Sequence, residues 1–460
     1  MTSMLRLGVV LCAIGLFATF GAAARQPSAP GTATPTVAVP DTASGKQLRW
    51  VLDFLNGAAP LGEVHERFSE KFLAAVPPDK LTAVLDSLKS GPFKGGARLV
   101  KISEGSTDSS LVATVQGGDA PLEVSISTDG AGLMDGLLFR PSSPPKTALS
   151  SWADFDKAFE AFPGAKNFAA YALSSTPGSE PALRPVHTLA PDLCLATGST
   201  FKLYILGTIA EQILAGKGSW EEKIAIREDL KSLPGGVMQN EPAGKEFPLS
   251  EFAAKMISIS DNTATDHLLT RAGRGNVEKY MAGFNSCASR NLPFLGTMEM
   301  FRIKLAPDRT LAARFAAADE KTRRSMLESE VAKAAPDLAF AEKWTVPIEI
   351  ERVEWFSSAA DLCKAMVRLH EMEARPGMAE LVRVLRINGG IPFDRKMWVS
   401  VAYKGGSEPG VMNLTWLLER NDGAVFVVSM GWNDTKAEVD QGRLVGLARG
   451  MADLLAKEKK

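Results

Sequence analysis

Histidine and cysteine are scarce in this chain. Its four histidines, His65, His187, His267 and His370, stand far apart and show no metal-ligand spacing. There is no His-Glu-x-x-His, no Cys-x-x-Cys pair and no Gly-x-Gly-x-x-Gly loop. These absences argue against a zinc enzyme and a dinucleotide enzyme, so no metal and no cofactor is expected. An excess of either charge is lacking too. Lysine and arginine number 52 against 53 acidic residues, for a formal net charge of −1. No basic patch therefore implies nucleic acid as a partner. Of the 4 cysteines, Cys12 lies in the apolar N-terminal run, leaving Cys194, Cys287 and Cys363. An odd count leaves at least one thiol free or intermolecular. One disulfide is allowed, and spacing does not choose its partners.

What is present begins with a targeting segment. Arg6 precedes an apolar run from Leu7 to Phe20, followed by Gly21-Ala22-Ala23-Ala24. This is a charged n-region, an h-region and an Ala-x-Ala cleavage site, placing residues 1–24 as a signal peptide. The run is short for a membrane span, so no stable span is expected after cleavage. The product is expected to be periplasmic or secreted. Residues 25–44 are rich in Pro, Ala, Thr and Ser and read as a flexible tether.

At 460 residues, two domains are the natural expectation. Over residues 45–143, apolar residues first recur at helical spacing: Leu48, Val51, Leu52, Leu55, then Leu81, Val84, Leu85, Leu88. After Gly95-Gly96 the pattern shortens to strands at Leu99–Val100, Leu111–Val115, Leu122–Ile126 and Leu137–Phe139. Asp119 and Asp129 fall in turns. Helices followed by a strand meander suggest a small, non-catalytic α+β domain. This layout is similar to the cone-shaped fold of nuclear-transport-factor and ketosteroid-isomerase-like domains. A Pro-rich link at 141–145 follows. Residues 150–460 then read as helix (Trp152–Phe162), strands (Asn167–Leu173 and Ala182–Leu189, around a Pro177-Gly178 turn), helices, and late strands. The late strands are Met397–Tyr403, Asn413–Glu419 and Val425–Met430, before a helix over 436–457. Strands from both ends of the region imply one antiparallel sheet covered by helices.

The chemistry centres on Ala196-Thr197-Gly198-Ser199-Thr200-Phe201-Lys202. A turn feeds a helix that is apolar on nearly every face, so the helix is expected in the core. Ser199 stands at its start, where unpaired N–H groups favour developing negative charge. Lys202 lies three residues on, on the same face. Desolvation there favours the neutral amine, a base beside a nucleophile. Ser-x-x-Lys alone is weak: it recurs at Ser143-Pro144-Pro145-Lys146, in the Pro-rich link. A second signal is Ser260-Asp261-Asn262, between two apolar helical stretches. Ser260 and Asn262 face one cleft, and Asp261 points away to hold the turn. A third is Tyr403-Lys404-Gly405-Gly406-Ser407, read as Lys404 ending a strand before glycines that let a ligand approach.

Together these motifs resemble the ordered set of class A β-lactamases and penicillin-binding proteins, from about residue 150 to the end. The whole layout looks like a clavam-biosynthesis relative of the class A enzymes. The resemblance implies a mixed α/β (α+β) two-domain chain. In it, a cone-like domain precedes a β-lactamase/transpeptidase-like domain with a central antiparallel sheet flanked by helices. It implies catalytic roles for Ser199 (nucleophile), Lys202 (base) and Ser260 (proton relay). It implies substrate binding by Asn262, Lys404, Gly405, Gly406 and Ser407, with the N–H groups of Ser199 and Ser407 as oxyanion hole. The implied partner is a small β-lactam-like or peptide substrate, and the implied activity that of an exported serine hydrolase. A D,D-peptidase and a non-turnover β-lactam sensor share the same motifs. Two departures stand out. Gly405 replaces the family's Thr, and the Glu-x-x-Leu-Asn motif that activates the deacylating water is missing. Glu299 is the best-placed carboxylate by order alone, with a helix N-terminal acid as its simpler reading. The charged region 285–356 reads as containing a solvated helix over 319–334.

Overall fold

The computed structural model describes residues 37–62, 64–103, 106–118, 121–142, 144–174, 182–233 and 235–459. The signal segment, most of the tether, Asp119, Ser143 and the Pro177-Gly178 turn lie outside the described residues. The chain divides into two compact units at residues 143/144.

In the first unit, helices α1 (Ala43–Leu55), α2 (Glu70–Ala75) and α3 (Pro78–Ser90) precede four strands. These are β1 (Arg98–Ile102), β2 (Ser110–Gln116), β3 (Pro121–Thr128) and β4 (Met134–Pro141). The strands form an antiparallel meander in chain order. β3 alternates between buried and half-buried residues, the mark of a sheet with one face on a core. Leu48, Val51, Phe54 and Leu85 of the helices fill that core against Leu111, Val115, Val124 and Ile126. The Thr42 side chain caps α1, so residues 43 and 44, expected in the tether, are its first turn. Asp129 is a turn residue whose carboxylate accepts from the N–H groups of Ala131 and Leu133.

The second unit opens with α4 (Trp152–Glu160), β5 (Ala165–Ser174), β6 (Ala182–Leu189) and the short β7 (Leu195–Ala196). A 3-10 turn over Gly198–Phe201 leads into α5 (Lys202–Leu214). Then come β8 (Lys223–Ala225), β9 (Glu246–Pro248), α6 (Leu249–Ser258), α7 (Asn262–Ala272) and α8 (Arg274–Ala282). The charged region carries α9 (Thr297–Leu305), α10 (Leu311–Ala317), α11 (Glu320–Ser329) and α12 (Leu338–Ala341). It ends at β10 (Phe356–Ser357), which pairs with β7. The chain closes with α13 (Ala359–Glu373), α14 (Ala379–Arg386), β11 (Trp398–Glu408), β12 (Val411–Arg420), β13 (Val425–Asn433) and α15 (Gln441–Leu455).

The main sheet is antiparallel, in the order β11-β12-β13-β5-β6. Strands from both ends of the unit thus meet at β13 and β5. On one face, α4 and α15 bury Phe155, Leu444, Leu447 and Met451 against Phe168, Trp416 and Phe426. On the other, α5, α6, α7 and α13 form the larger core. Every residue of α5 from Lys202 to Ala210 is buried, as its all-round apolar character requires. Cys194 and Cys287 form a disulfide, and Cys363 is a buried free thiol. Among the described residues no helix is long and apolar enough to cross a membrane.

Two expectations about element ends are corrected. β11 does not stop at Lys404 but continues to Glu408, pairing Gly405 with Leu414 and Gly406 with Asn413. Both glycines sit inside the strand because their missing side chains leave room for other groups, the Tyr403 hydroxyl at Gly405 and the Thr197–Ser199 turn at Gly406. The last helix begins at Gln441, not 436, because the Asp440 side chain caps it by accepting from the Arg443 N–H. α11 is largely exposed, as expected, with Leu327 its buried contact.

Candidate active site

Four chain segments converge at the N-terminal end of α5. The first is the 3-10 turn that carries Ser199. Gly198 there has φ +48°, and a side chain at Gly198 would come within 2.7 Å of the Ser407 nitrogen. A methyl group at Gly406 would overlap Thr197 O and the Ser199 nitrogen. Turn and strand are in direct backbone contact, which only glycine at both positions permits. The Ser407 nitrogen thus borders Gly198, and the Ser199 nitrogen borders Gly406. Ser199 is half-buried and Ser407 exposed, so this edge is reachable.

The second segment is the α6–α7 connection. Ser260 has φ +59°, a left-handed conformation that a serine adopts only under constraint. The constraint comes from its neighbour. Asp261 is fully buried and accepts from the N–H groups of Val237 (2.6 Å), Met238 (2.9 Å) and Ala264 (2.8 Å). Asp261 therefore holds the turn and points away from the cleft. Asn262 N–H donates to Gly235 O at 3.1 Å, and Asn262 Nδ2 to Leu233 O at 2.9 Å. The loop containing Leu233, Gly235 and Gly236 is the third segment, and β11 is the fourth.

Two lysines meet at Ser260. Lys202 Nζ donates to Ser260 O (2.6 Å) and Asn262 Oδ1 (2.7 Å), and lies 3.2 Å from Ser260 Oγ. Lys404 Nζ lies 3.0 Å from the same Oγ and donates to Gly405 O. Both amines are buried, with 0% and 2% of their surface exposed. Burial pushes Lys202 down to about 7, opposed by the negative charges of Asp261 and Asp266. Burial also holds Lys404 well below its ordinary value, and the positive charge of Lys202 adds to the effect. Ser260 Oγ is thus a hydroxyl shared by two amines of reduced proton affinity. The structure brings Lys202, Ser260, Asn262 and Lys404 into one hydrogen-bonded group, with Ser199, Gly405, Gly406 and Ser407 along its edge.

Glu299 is not part of this group. Its carboxylate accepts from the Gly296 N–H at 2.7 Å and takes a two-pronged ion pair from Arg274, at 2.6 and 2.9 Å. It is a helix N-terminal acid. Sequence reasoning passed over Asp266, one turn beyond Asn262 on α7. Burial raises its pKa to about 6, and its oxygens accept from Thr297 N, Thr297 Oγ1 and Met298 N. It also passed over Tyr403. That ring lies near Trp416, with centroids 5.4 Å apart. Its hydroxyl fills the volume that a side chain at Gly405 would need. The Pro-Gly-Gly run at 234–236, ahead of the Asp261 anchor, was the available signal for the third segment.

A sheet flanked by helices, with a serine at the start of a buried helix and two lysines around a second serine, is the architecture of the β-lactamase and penicillin-binding-protein superfamily. The chain belongs to the beta-lactamase enzyme family, whose sequence profile matches residues 186–449. That family's fold supports serine-hydrolase acyl-enzyme chemistry. Residues 39–134 match a second profile, described as the ORF 12 gene product N-terminal. No curated protein sequence matches the chain. Among solved structures, it is similar to a β-lactamase from Sphaerobacter thermophilus, with 19% identity and a TM-score of 0.44, over 67% of this chain and 98% of that one. It is similar to a variant of PBP-A solved as an acyl-enzyme complex with penicillin G, with 16% identity and a TM-score of 0.44, over 68% and 98%. A class A β-lactamase from Mycobacterium abscessus gives 16% identity and a TM-score of 0.41, over 66% and 98%.

Proposed function

We propose that this protein is an exported serine hydrolase that forms an acyl-enzyme on Ser199 with β-lactams or related amides and esters, and deacylates slowly. The observation that carries the reading is the Ser260 hydroxyl between Lys202 and Lys404, beside the buried start of α5. Neutral Lys202 takes the proton from Ser199 as its oxygen attacks the carbonyl. The N–H groups of Ser199 and Ser407 stabilise the oxyanion, one such donor typically being worth about 10²–10³ in rate. Ser260 passes the proton on to the leaving nitrogen. Asn262 orients the substrate amide, and Lys404, with the Gly405–Ser407 edge, takes the substrate carboxylate.

The carboxylates support slow deacylation. Glu299 is committed to Arg274 and Gly296, and Asp266 to Thr297 and Met298. Neither is left to activate a water. The disulfide Cys194–Cys287 is consistent with an oxidising, exported setting. The first unit serves as a non-catalytic, isomerase-like cone, and the whole layout is that of a clavam-biosynthesis relative of class A enzymes.

Intact mass of the protein during incubation with penicillin G tests the reading. The expected result is a persistent adduct of the β-lactam's mass, mapped to Ser199 and lost in Ser199→Ala. Rapid return to the unmodified mass with turnover would show an active deacylating base. No adduct with β-lactams or activated esters would overturn the assignment.

A further inference from the structure

A sealed ionic cluster stands apart from the two lysines at Ser260. Lys304 on α9 donates to Glu354 Oε1 and to Glu408 Oε1, each at 2.6 Å. The side chains of Lys304 and Glu354 expose 0% of their surface, and that of Glu408 exposes 6%. The Trp344 ring lies 6.0 Å from the ammonium. One positive and two negative groups leave an uncompensated charge if all three ionise. The second oxygen of Glu408 is buried and accepts no hydrogen bond, while a protonated Glu408 can bond the neighbouring Glu354 carboxyl. A carboxylic acid suits such a place and a carboxylate does not.

The neighbours of these carboxylates give the cluster its meaning. Glu354 precedes Trp355, whose carbonyl accepts from Thr197 N–H (2.9 Å) and Thr197 Oγ1 (3.0 Å). The Trp355 indole stacks on Phe201, with centroids 3.7 Å apart and planes 14° apart. Trp355 therefore clamps the turn that carries Ser199 from both sides. Glu408 follows Ser407 at the end of β11. One ammonium thus links the Trp355 segment, which holds Thr197, to the end of β11 that carries Ser407.

We propose that Lys304, bridging Glu354 and Glu408, is a positioning residue that fixes the spacing between the Ser199 and Ser407 N–H groups. The proposal rests on the serine acyl-enzyme reading for its catalytic consequence. Burial and then the negative charge of Glu354 push the Glu408 carboxyl well above its ordinary value. Burial pulls Lys304 down, but the two carboxylates more than reverse it. Loss of the Glu408 proton sets two carboxylates against one lysine and loosens the end of β11. Acylation therefore has an alkaline limb that belongs to this cluster, separate from the acid limb of Lys202.

The test uses the full chain labelled with 15N-serine, with penicillin G as the probe of Ser199. In the wild type the Ser199 and Ser407 amide resonances shift together on one alkaline titration, and acylation declines with the same midpoint. Glu408→Gln, which has no proton to lose, removes both the shift and the decline. Lys304→Met lowers acylation about 100-fold, the size of losing one oxyanion donor. Its acid limb stays at about 7. The proposal is overturned if the two amides titrate apart, if Glu408→Gln keeps the alkaline limb, or if folded Lys304→Met acylates at the wild-type rate. Failure of the wild type to form any adduct would sink the acyl-enzyme reading. The amide titration would then still decide whether Lys304 couples the two segments.

Discussion

Acidification perturbs the proposed base directly. Lys202 is fully buried, and its pKa falls from 10.5 to about 7. At ~1.4 kcal/mol per unit, that fall is about 5 kcal/mol of added cost for the charged form. A neutral amine has two N–H groups and one lone pair. Ser260 O, at 2.6 Å, and Asn262 Oδ1, at 2.7 Å, take the two donors. The Ser260 hydroxyl, 3.2 Å away, is the third neighbour, and the proposed mechanism has the lone pair take the Ser199 proton. At about pH 5 only about 1% of Lys202 is neutral, so acylation should run about 100-fold below its plateau. The measurement is single-turnover acylation by an uncharged activated ester, followed by intact mass, which keeps substrate ionisation out of the profile. A flat rate between about pH 5 and 8, or a rise that continues to about pH 10, refutes a neutral base. Stability gives a second check on the same group. The unfolded chain holds this proton up to 10.5 and the folded chain only to about 7. Between those values the unfolded state binds more protons, so stability rises with pH. The wild type should gain on Lys202→Met by up to ~1.4 kcal/mol per pH unit in that window. Glu408 titrates in both proteins and largely cancels in the difference. Lys404 reinforces the sign, because removing Lys202 relieves part of its own depression.

Gly406→Ala should abolish adduct formation in a protein that still melts cooperatively, since the new methyl overlaps Thr197 O and the Ser199 nitrogen. Asp261→Ala strips the acceptor from the Val237, Met238 and Ala264 N–H groups. At about 1–3 kcal/mol for each buried donor left unpaired, and with only the Met238 and Ala264 bonds fully buried, it should cost at least ~2 kcal/mol in a denaturant melt. Gly405→Thr should destabilise by colliding with the Tyr403 hydroxyl. Combined with Tyr403→Ala, it should cost at least ~1 kcal/mol less than the sum of the single changes. Reduction of Cys194–Cys287, which closes a separation of 93 residues, should lower the unfolding free energy by up to about 4–5 kcal/mol.

The parts of the site that were legible are those whose cause is local. Ser199 and Lys202 are three residues apart where a 3-10 turn runs into α5, and the apolar run around them announces burial without any knowledge of the fold. Asp261 was readable as an anchor for the same reason, since a cap needs only its own helix. The end of β11 was placed too early, at Lys404, because a glycine pair has two uses that look alike in sequence. It can turn the chain, or it can let another backbone come close. For Gly406 the second holds, and the partner is the Ser199 turn, roughly 200 residues earlier, whereas Gly405 leaves room for the Tyr403 hydroxyl.

Order along the chain was a poor guide to the carboxylates. Glu299 follows the Ser260 motif at a plausible distance, but the charge that meets it is Arg274, on α8. Lys304, Glu354 and Glu408 gave no signal at all, because each is an ordinary charged residue until the fold removes its water. Their separations, 50 and 104 residues from Lys304, carry no periodicity that could join them. Yet the same burial that hid them from sequence reasoning gives them leverage. An ion pair in solvent is worth little, whereas two carboxylates and one ammonium sealed together have few arrangements that satisfy them. The backbone on either side, Trp355 against Thr197 and Ser407 against Gly198, must follow the arrangement they take.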